Sequence, residues 1–272
     1  IEKRASIKLF REEIKGFELE GELPKKVKGP APVKGKKKSK KDKLREQAEE
    51  ALPKEACGLL INKKGKEVYI PCKNIADNPE EDFIIDPRDY ADAEDLGDII
   101  AIVHSHPFVE AKPSQADRVS CNATGKPWYI LAWPLNKLLR IEPDGFKLPL
   151  VGREFHHGIV DCYSLVQDYY KEELDIELDF IPRDYEWWDK GQNIYVDNYA
   201  KQGFVVINNP LDIRKHDAFL IQLISSVPNH AAIYMGDGLI IHHVMDRLSS
   251  RDIYGGYWRK HTTYHLRHKS LC

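Results

Sequence analysis

The stretch Ile99-Ile100-Ala101-Ile102-Val103-His104-Ser105-His106-Pro107, followed by Pro113-Ser114-Gln115-Ala116-Asp117, decides how the first half of this chain is read. The apolar run reads as a strand that ends at the histidines. Side chains two positions apart on a strand project to one face, so the His104 and His106 imidazoles can converge on one ion. Eleven residues beyond His106, Asp117 supplies the carboxylate that catalytic zinc sites combine with two histidines, leaving a coordination position for water. Ser114-x-x-Asp117 is equally the pattern of a helix capping box, and the residues alone leave both readings open.

Outward from this stretch, short strands are expected at Gly58 to Ile61, Glu67 to Pro71 and Trp128 to Trp133, with a helix over about 42–52 and another beginning at Ser114. Residues 42–145 thus form one α/β or α+β domain, ending near the turn Pro143-Asp144-Gly145. A second, α+β domain over 146–272 opens with a helix at Asp161-Cys162, apolar at Leu165, Val166, Tyr169, Tyr170 and Leu174, and continues with strands at 218–224, 229–235 and 239–244. Two domains suit a chain of 272 residues.

Composition bounds the function. Apolar residues make up 42% and charged residues 31%, with a mean hydropathy of −0.51, the profile of a soluble globular protein. No run approaches the roughly 18 apolar residues of a membrane span, and Ile1-Glu2-Lys3-Arg4 lacks a signal peptide's apolar region, so secretion or membrane anchoring is not expected. The five cysteines (57, 72, 121, 162, 272) contain no C-x-x-C pair, which argues against a disulfide framework and for a reducing compartment.

Charge is uneven. Residues 1–43 carry 15 basic and 7 acidic side chains, against 26 and 36 in the remainder. Residues 24–43 combine lysine, proline and glycine without apolar periodicity and read as a linker without secondary structure, so residues 1–41 are taken as a basic arm and disordered tether. Without interleaved aromatics, and before an acidic body, the lysine run is not expected to bind nucleic acid.

All 11 histidines lie at or after position 104. In the second half, Cys162 follows Asp161 at a helix start, where unpaired amides and the helix dipole favour a thiolate. His230 and His242 flank the loop Gly236-Asp237-Gly238, which places them on adjacent hairpin strands. A cysteine, a histidine base and a polar residue to orient it form the logic of a cysteine hydrolase, beside the plainer reading of Cys162 as a core cysteine. A three-residue loop pairs 235 with 239 and sets 232 opposite 242, so that His242 shares a face with His230; a two-residue loop would select His243 instead.

Glu55-Ala56-Cys57-Gly58, His104-Ser105-His106-Pro107 and Ser114-x-x-Asp117 together resemble the JAMM (JAB/MPN) metalloprotease family. The resemblance covers about residues 42–140. It implies a JAB1/MPN-like fold with Zn2+ held by His104, His106 and Asp117, Glu55 as general base toward the attacking water, and Ser114 assisting the oxyanion. Asp161-Cys162-Tyr163-Ser164-Leu165-Val166, His230 to Tyr234 and Leu239 to His242 resemble the NlpC/P60 family of cell-wall peptidases, over about 150–265. That resemblance implies a papain-like domain with Cys162 as nucleophile, His230 as base and His242 as the orienting residue. The family commonly has glycine before Asp217, where this chain has His216, which puts the loop geometry in question. His156, His157, His243, His261, His265 and His268 take no role, and Trp187 and Trp188 read as packing residues before sugar-stacking ones.

The order of the two resemblances is similar to tail-assembly components of long-tailed, lambda-like bacteriophages. This implies other phage tail-tip proteins and bacterial peptidoglycan as partners, action in the host cytoplasm during tail assembly, and the virion tail tip as a second location. The alternatives are a structural or chaperone-like tail component whose hydrolase folds serve for docking, and an isopeptidase acting on ubiquitin-like targets through the JAMM site alone.

Overall fold

The computed structural model describes residues 38–272; the basic arm and most of the expected linker lie outside the described residues. The first element corrects the linker expectation. Helix α1 (Lys40–Ala51) begins within the stretch read as unstructured, because the Ser39 hydroxyl accepts from the Asp42 amide (3.2 Å) and the Asp42 carboxylate accepts from the Ser39 amide (3.1 Å). Leu44 and Ala48 then bury one face of α1, which outweighs the lysines on the other.

A five-stranded sheet follows, built of β1 (Cys57–Lys63), β2 (Lys66–Cys72), β3 (Asp98–Pro107), β4 (Trp128–Trp133) and β5 (Lys137–Ile141) in the order β2-β1-β3-β4-β5. Only β3 and β4 run parallel, joined through α3 (Gln115–Thr124); α2 (Pro87–Leu96) precedes β3. Alternation along the strands loads both faces. Leu59, Ile61, Ile102 and Trp128 pack with Ala93 of α2 and Cys121 of α3, while Leu60, Ala101, Val103 and Leu131 pack under Leu44 and Ala48 of α1.

Helix α4 (Cys162–Leu174) opens the second half, with Asp161 as its N-cap, and the short α5 (Ile194–Asn198) follows it. The remaining elements are β6 (Phe204–Val206), β7 (Ala218–Ile221), β8 (His230–Gly236), β9 (Leu239–His242), β10 (Ser250–Ile253), α6 (Gly256–His261) and β11 (Thr262–His268). The six strands form one sheet in the order β10-β9-β8-β7-β11-β6. Leu165, Val166, Tyr169 and Tyr170 of α4 pack on Ala218, Leu220, Ala231 and Ile233, and Phe219, Ile221, Ala232 and Ile240 bury the other face. Trp187 is fully buried in the α4 core, a packing residue.

His216 shows how this chain accommodates its departure from glycine. Its φ is +78°, a left-handed conformation that glycine adopts at little cost and histidine only with local support. Two tyrosines of α4 supply that support: the Tyr169 hydroxyl lies 2.8 Å from the ring Nδ1, and the Tyr170 hydroxyl donates to the carbonyl (2.5 Å).

The two halves meet along the segment that joins them. Ala116 of α3 packs with Leu148 and Val160, the Glu154 amide donates to the Gln115 side chain (3.0 Å), and His156 lies 3.3 Å from Asp82.

Candidate active sites

At the end of β3, His104 Nε2 and His106 Nε2 lie 3.0 Å apart. Asp117 reaches both, with one oxygen 3.2 Å from His104 and the other 3.3 Å from His106. The donor atoms of the three residues all lie within 4.8 Å of one another. The capping and ligating readings of Ser114-x-x-Asp117 prove compatible: the Ser114 hydroxyl accepts from the Asp117 amide (3.0 Å), and the Asp117 carboxylate accepts from the Ser114 amide (2.8 Å) while it faces the imidazoles. The cap thus fixes the carboxylate's position.

Glu55 arrives by strand register. Antiparallel pairing sets Cys57 opposite His104, and Ser105 locks the segment before β1: its amide donates to the Ala56 carbonyl (2.9 Å) and its hydroxyl accepts from the Ala56 amide (2.8 Å). Glu55 Oε1 then stands 3.9 Å from His106 Nε2. Gly58 permits the approach of β2, since a Cβ there would stand 2.5 Å from the Ile70 carbonyl oxygen. Sequence reasoning missed Phe83, whose ring stacks on His104 at 4.6 Å; a lone phenylalanine in a loop carries no signal of this.

The electrostatics suit a cation. Burial lowers the His104 pKa, which keeps its imidazole neutral and able to ligate. Burial opposes the Asp117 charge, but hydrogen bonds from His104 and His106 prevail and hold it ionised. Glu55 is pushed up to about 10, by burial first and then by the Asp117 carboxylate, a shift that a positive charge among these groups would reverse. His104 Nδ1 has no hydrogen-bond partner, so Nε2 makes the ring's polar contacts. Two imidazoles and a carboxylate form a donor set that fits zinc.

In the second half, His230 at the start of β8 and His242 at the end of β9 meet, Nε2 to Nδ1, at 3.0 Å, both buried. The hairpin differs from the expected three-residue loop. Gly236 pairs directly with Leu239, leaving Asp237-Gly238 as the loop, yet Ala232 still pairs with His242 because the register shifts by a bulge between Tyr234 and Gly236. His243 lies outside the pair, buried and with its ring against Phe155.

Cys162 Sγ lies 3.2 Å from the Tyr195 hydroxyl, a contact that is not to the His230 ring. The helix start does not make it a thiolate. Burial, then the adjacent Asp161 carboxylate, push the thiol up to about 11. Sequence reasoning missed two further groups here, Tyr195 and Asp252. Asp252 stands 3.1 Å from His242 Nε2 and owes its place to the pairing of β10 with β9, which no local pattern signals.

Residues 37–142 match the family described as prokaryotic homologs of the JAB domain, and residues 152–267 match the NlpC/P60 family. Tail tip assembly protein K of Escherichia phage N15 is 38% identical over 232 residues, covering 85% of this chain and 94% of that protein. The chain belongs to the tail tip assembly protein K family. Tail tip assembly protein K of Escherichia phage lambda is likewise 38% identical, over 68% of this chain and 89% of that protein. Among solved structures, a JAB1/MPN domain protein from Archaeoglobus fulgidus is similar at 22% identity over 40% of this chain and 90% of that one, with a TM-score of 0.27, too distant a likeness to add to the assignment. This member of the family carries a JAB domain followed by an NlpC/P60 domain. None of the described helices is long and apolar enough to cross a membrane.

Proposed function

We propose that this tail tip assembly protein is a bifunctional hydrolase with a zinc-dependent JAMM peptidase over residues 42–145 and an NlpC/P60 cysteine endopeptidase over 146–272 that cleaves peptide bonds of bacterial peptidoglycan. It works beside other tail-tip proteins in the host cytoplasm during assembly, with the virion tail tip as a second location. The observation that carries this reading is the buried His230–His242 contact at 3.0 Å.

In the thiol site, His230 takes the proton from Cys162 Sγ as the sulfur attacks the scissile carbonyl, and returns it to the leaving amine. Burial holds His230 well below the usual histidine range, so it starts neutral and able to accept that proton. His242 orients the ring through Nδ1. A thiol at about 11 calls for this base at the moment of attack, in place of a preformed ion pair.

In the other site, His104, His106 and Asp117 would hold zinc, which supplies Lewis-acid polarisation of the substrate carbonyl and a more acidic water. Glu55, 3.9 Å from His106, would accept a proton from the attacking water, and Ser114 would support the developing oxyanion.

One observation favours the second reading, a structural component that uses its hydrolase folds for docking: the Cys162 sulfur is buried against Tyr195. Purified peptidoglycan incubated with the full chain decides between them. Release of peptide fragments that Cys162→Ala and His230→Ala abolish, with zinc content unchanged, is the expected result; no release by the wild-type chain, or release that a chelator stops and Cys162→Ala does not, would overturn the assignment.

A further inference from the structure

His242 has two ring nitrogens: Nδ1 meets His230 Nε2 at 3.0 Å, and Nε2 stands 3.1 Å from Asp252 Oδ2. A neutral imidazole carries one proton, and a carboxylate can only accept. His242 Nε2 is buried and makes no aligned hydrogen bond in this structure, and Asp252 is the carboxylate that stands beside it. Asp252 is also held by the Ser250 hydroxyl on Oδ1 (3.1 Å) and by the Arg247 guanidinium 3.4 Å from Oδ2, the oxygen that faces His242. Burial opposes its charge, but His242 first, and then Ser250 and Arg247, hold its pKa lowered, as a proton acceptor requires.

We propose that Asp252 is a positioning residue of the thiol site, which sets the protonation pattern of the His230–His242 pair. The proposal rests on the reading of Cys162 and His230 given above. With its proton fixed on Nε2 by Asp252, His242 presents the Nδ1 lone pair to His230. His230 must then carry its own proton on Nε2 and donate it to His242, which leaves His230 Nδ1 as the ring's one basic atom. When the Cys162 proton moves to that atom, His230 becomes an imidazolium whose Nε2–H already has an acceptor, and only the S–H bond has been exchanged for N–H. Without Asp252, His242 is free to hold its proton on Nδ1 and donate it to His230 Nε2. The His230 proton then sits on Nδ1, the atom that must receive the thiol proton. Trp258, whose ring stands edge-on to His242 at 4.4 Å, limits the ring's freedom to turn away from the carboxylate.

The test uses the full chain and two readouts. Long-range proton–nitrogen NMR correlations of the imidazoles report the tautomers, and iodoacetamide alkylation of Cys162 across pH, followed by peptide mass spectrometry with exposed Cys272 as internal reference, reports the base. The wild type is expected to show Nε2–H on both histidines. Asp252→Ala is expected to move proton population to Nδ1 of both and to slow Cys162 alkylation at neutral pH by roughly tenfold or more, the scale of one hydrogen bond to a charged group. Asp252→Glu is expected to recover most of both signals, which a loss of packing would not do. A wild-type His242 protonated on Nδ1 would overturn the proposal even if no variant folds, as would an unchanged tautomer and alkylation profile in folded Asp252→Ala. Failure of the underlying thiol reading shows separately, as Cys162 alkylation unaffected by His230→Ala, because the tautomers are read without the thiol.

Discussion

Replacing Arg183 with methionine tests the physical account of the thiol helix most directly. Asp161 and Arg183 form an ion pair with side-chain exposures of 2% and 1%, joined by Nε to Oδ2 at 2.9 Å and Nη2 to Oδ1 at 3.1 Å. The same carboxylate caps α4, accepting from the amides of Tyr163 (3.0 Å), Ser164 (2.9 Å) and Gly158 (2.9 Å). Arg183→Met leaves a buried carboxylate with its amides but no counter-charge. Breaking such a pair costs about 3–5 kcal/mol, and the three remaining amides at a helix N-terminus place this case near the lower end, about 3 kcal/mol. For a domain of this size, that corresponds to a fall in Tm of roughly 6–12 °C.

The pH dependence carries a sign. Burial alone would raise the Asp161 pKa, but Arg183 and the capping amides outweigh it and hold the pKa lowered. The pair therefore stabilises the fold above the ordinary carboxylate range, and that stability is lost as pH falls through the lowered folded-state value. The gap between wild type and Arg183→Met is expected to be widest near neutrality and to narrow in acid, with Asp161→Asn/Arg183→Met recovering part of the loss because no unpaired charge remains. Urea unfolding followed by circular dichroism measures both. A loss under about 1 kcal/mol, or a gap that does not change as pH falls, would refute the reasoning.

Three further outcomes are expected. The zinc-loaded chain should retain about one metal equivalent through gel filtration, and Asp117→Ala or His106→Ala less than half, by elemental analysis; equal retention would exclude these ligands. His242→Ala should lower peptidoglycan cleavage far more than His243→Ala, since only His242 touches His230; His243→Ala should instead lower the thermal midpoint, because its ring is buried against Phe155. Gly58→Ala forces a methyl to 2.5 Å from a backbone oxygen across the β1–β2 pair and should cost about 1–3 kcal/mol in denaturation, whereas a neutral effect would show that β2 yields freely.

Much of both sites was legible where the chemistry is local. Helices α2, α5 and α6 and strands β5, β6, β10 and β11 were not assigned from sequence, although Asp86-Pro87 at the head of α2 carries a cap and an N1 proline. The β8–β9 hairpin shows the limit most clearly. Counting loop residues led to the observed pairing of Ala232 with His242, but through a loop the protein does not have; an extra residue at Met235 compensates for the tighter turn. Cys162 marks a second limit, because its position at a helix start favours a thiolate while burial and Asp161 decide against one.

By itself the sequence determined what depends on periodicity and caps: the shared face of His104 and His106, the Ser114–Asp117 box, the Asp161 cap before Cys162, and the pairing of two unlike domains in one chain. Tertiary structure alone decided what depends on registers between distant strands. These are the delivery of Glu55 to His106 through the Cys57–His104 pairing, the arrival of Asp252 beside His242 through Ser250, and the burial that sets the protonation of Glu55, Cys162 and His230. The physical reason is that a cap or a strand's alternation is fixed by a few adjacent residues. A register is chosen by the burial of whole apolar faces and can slip at a single bulge, and the cost of burying a charge depends on every neighbour the fold supplies.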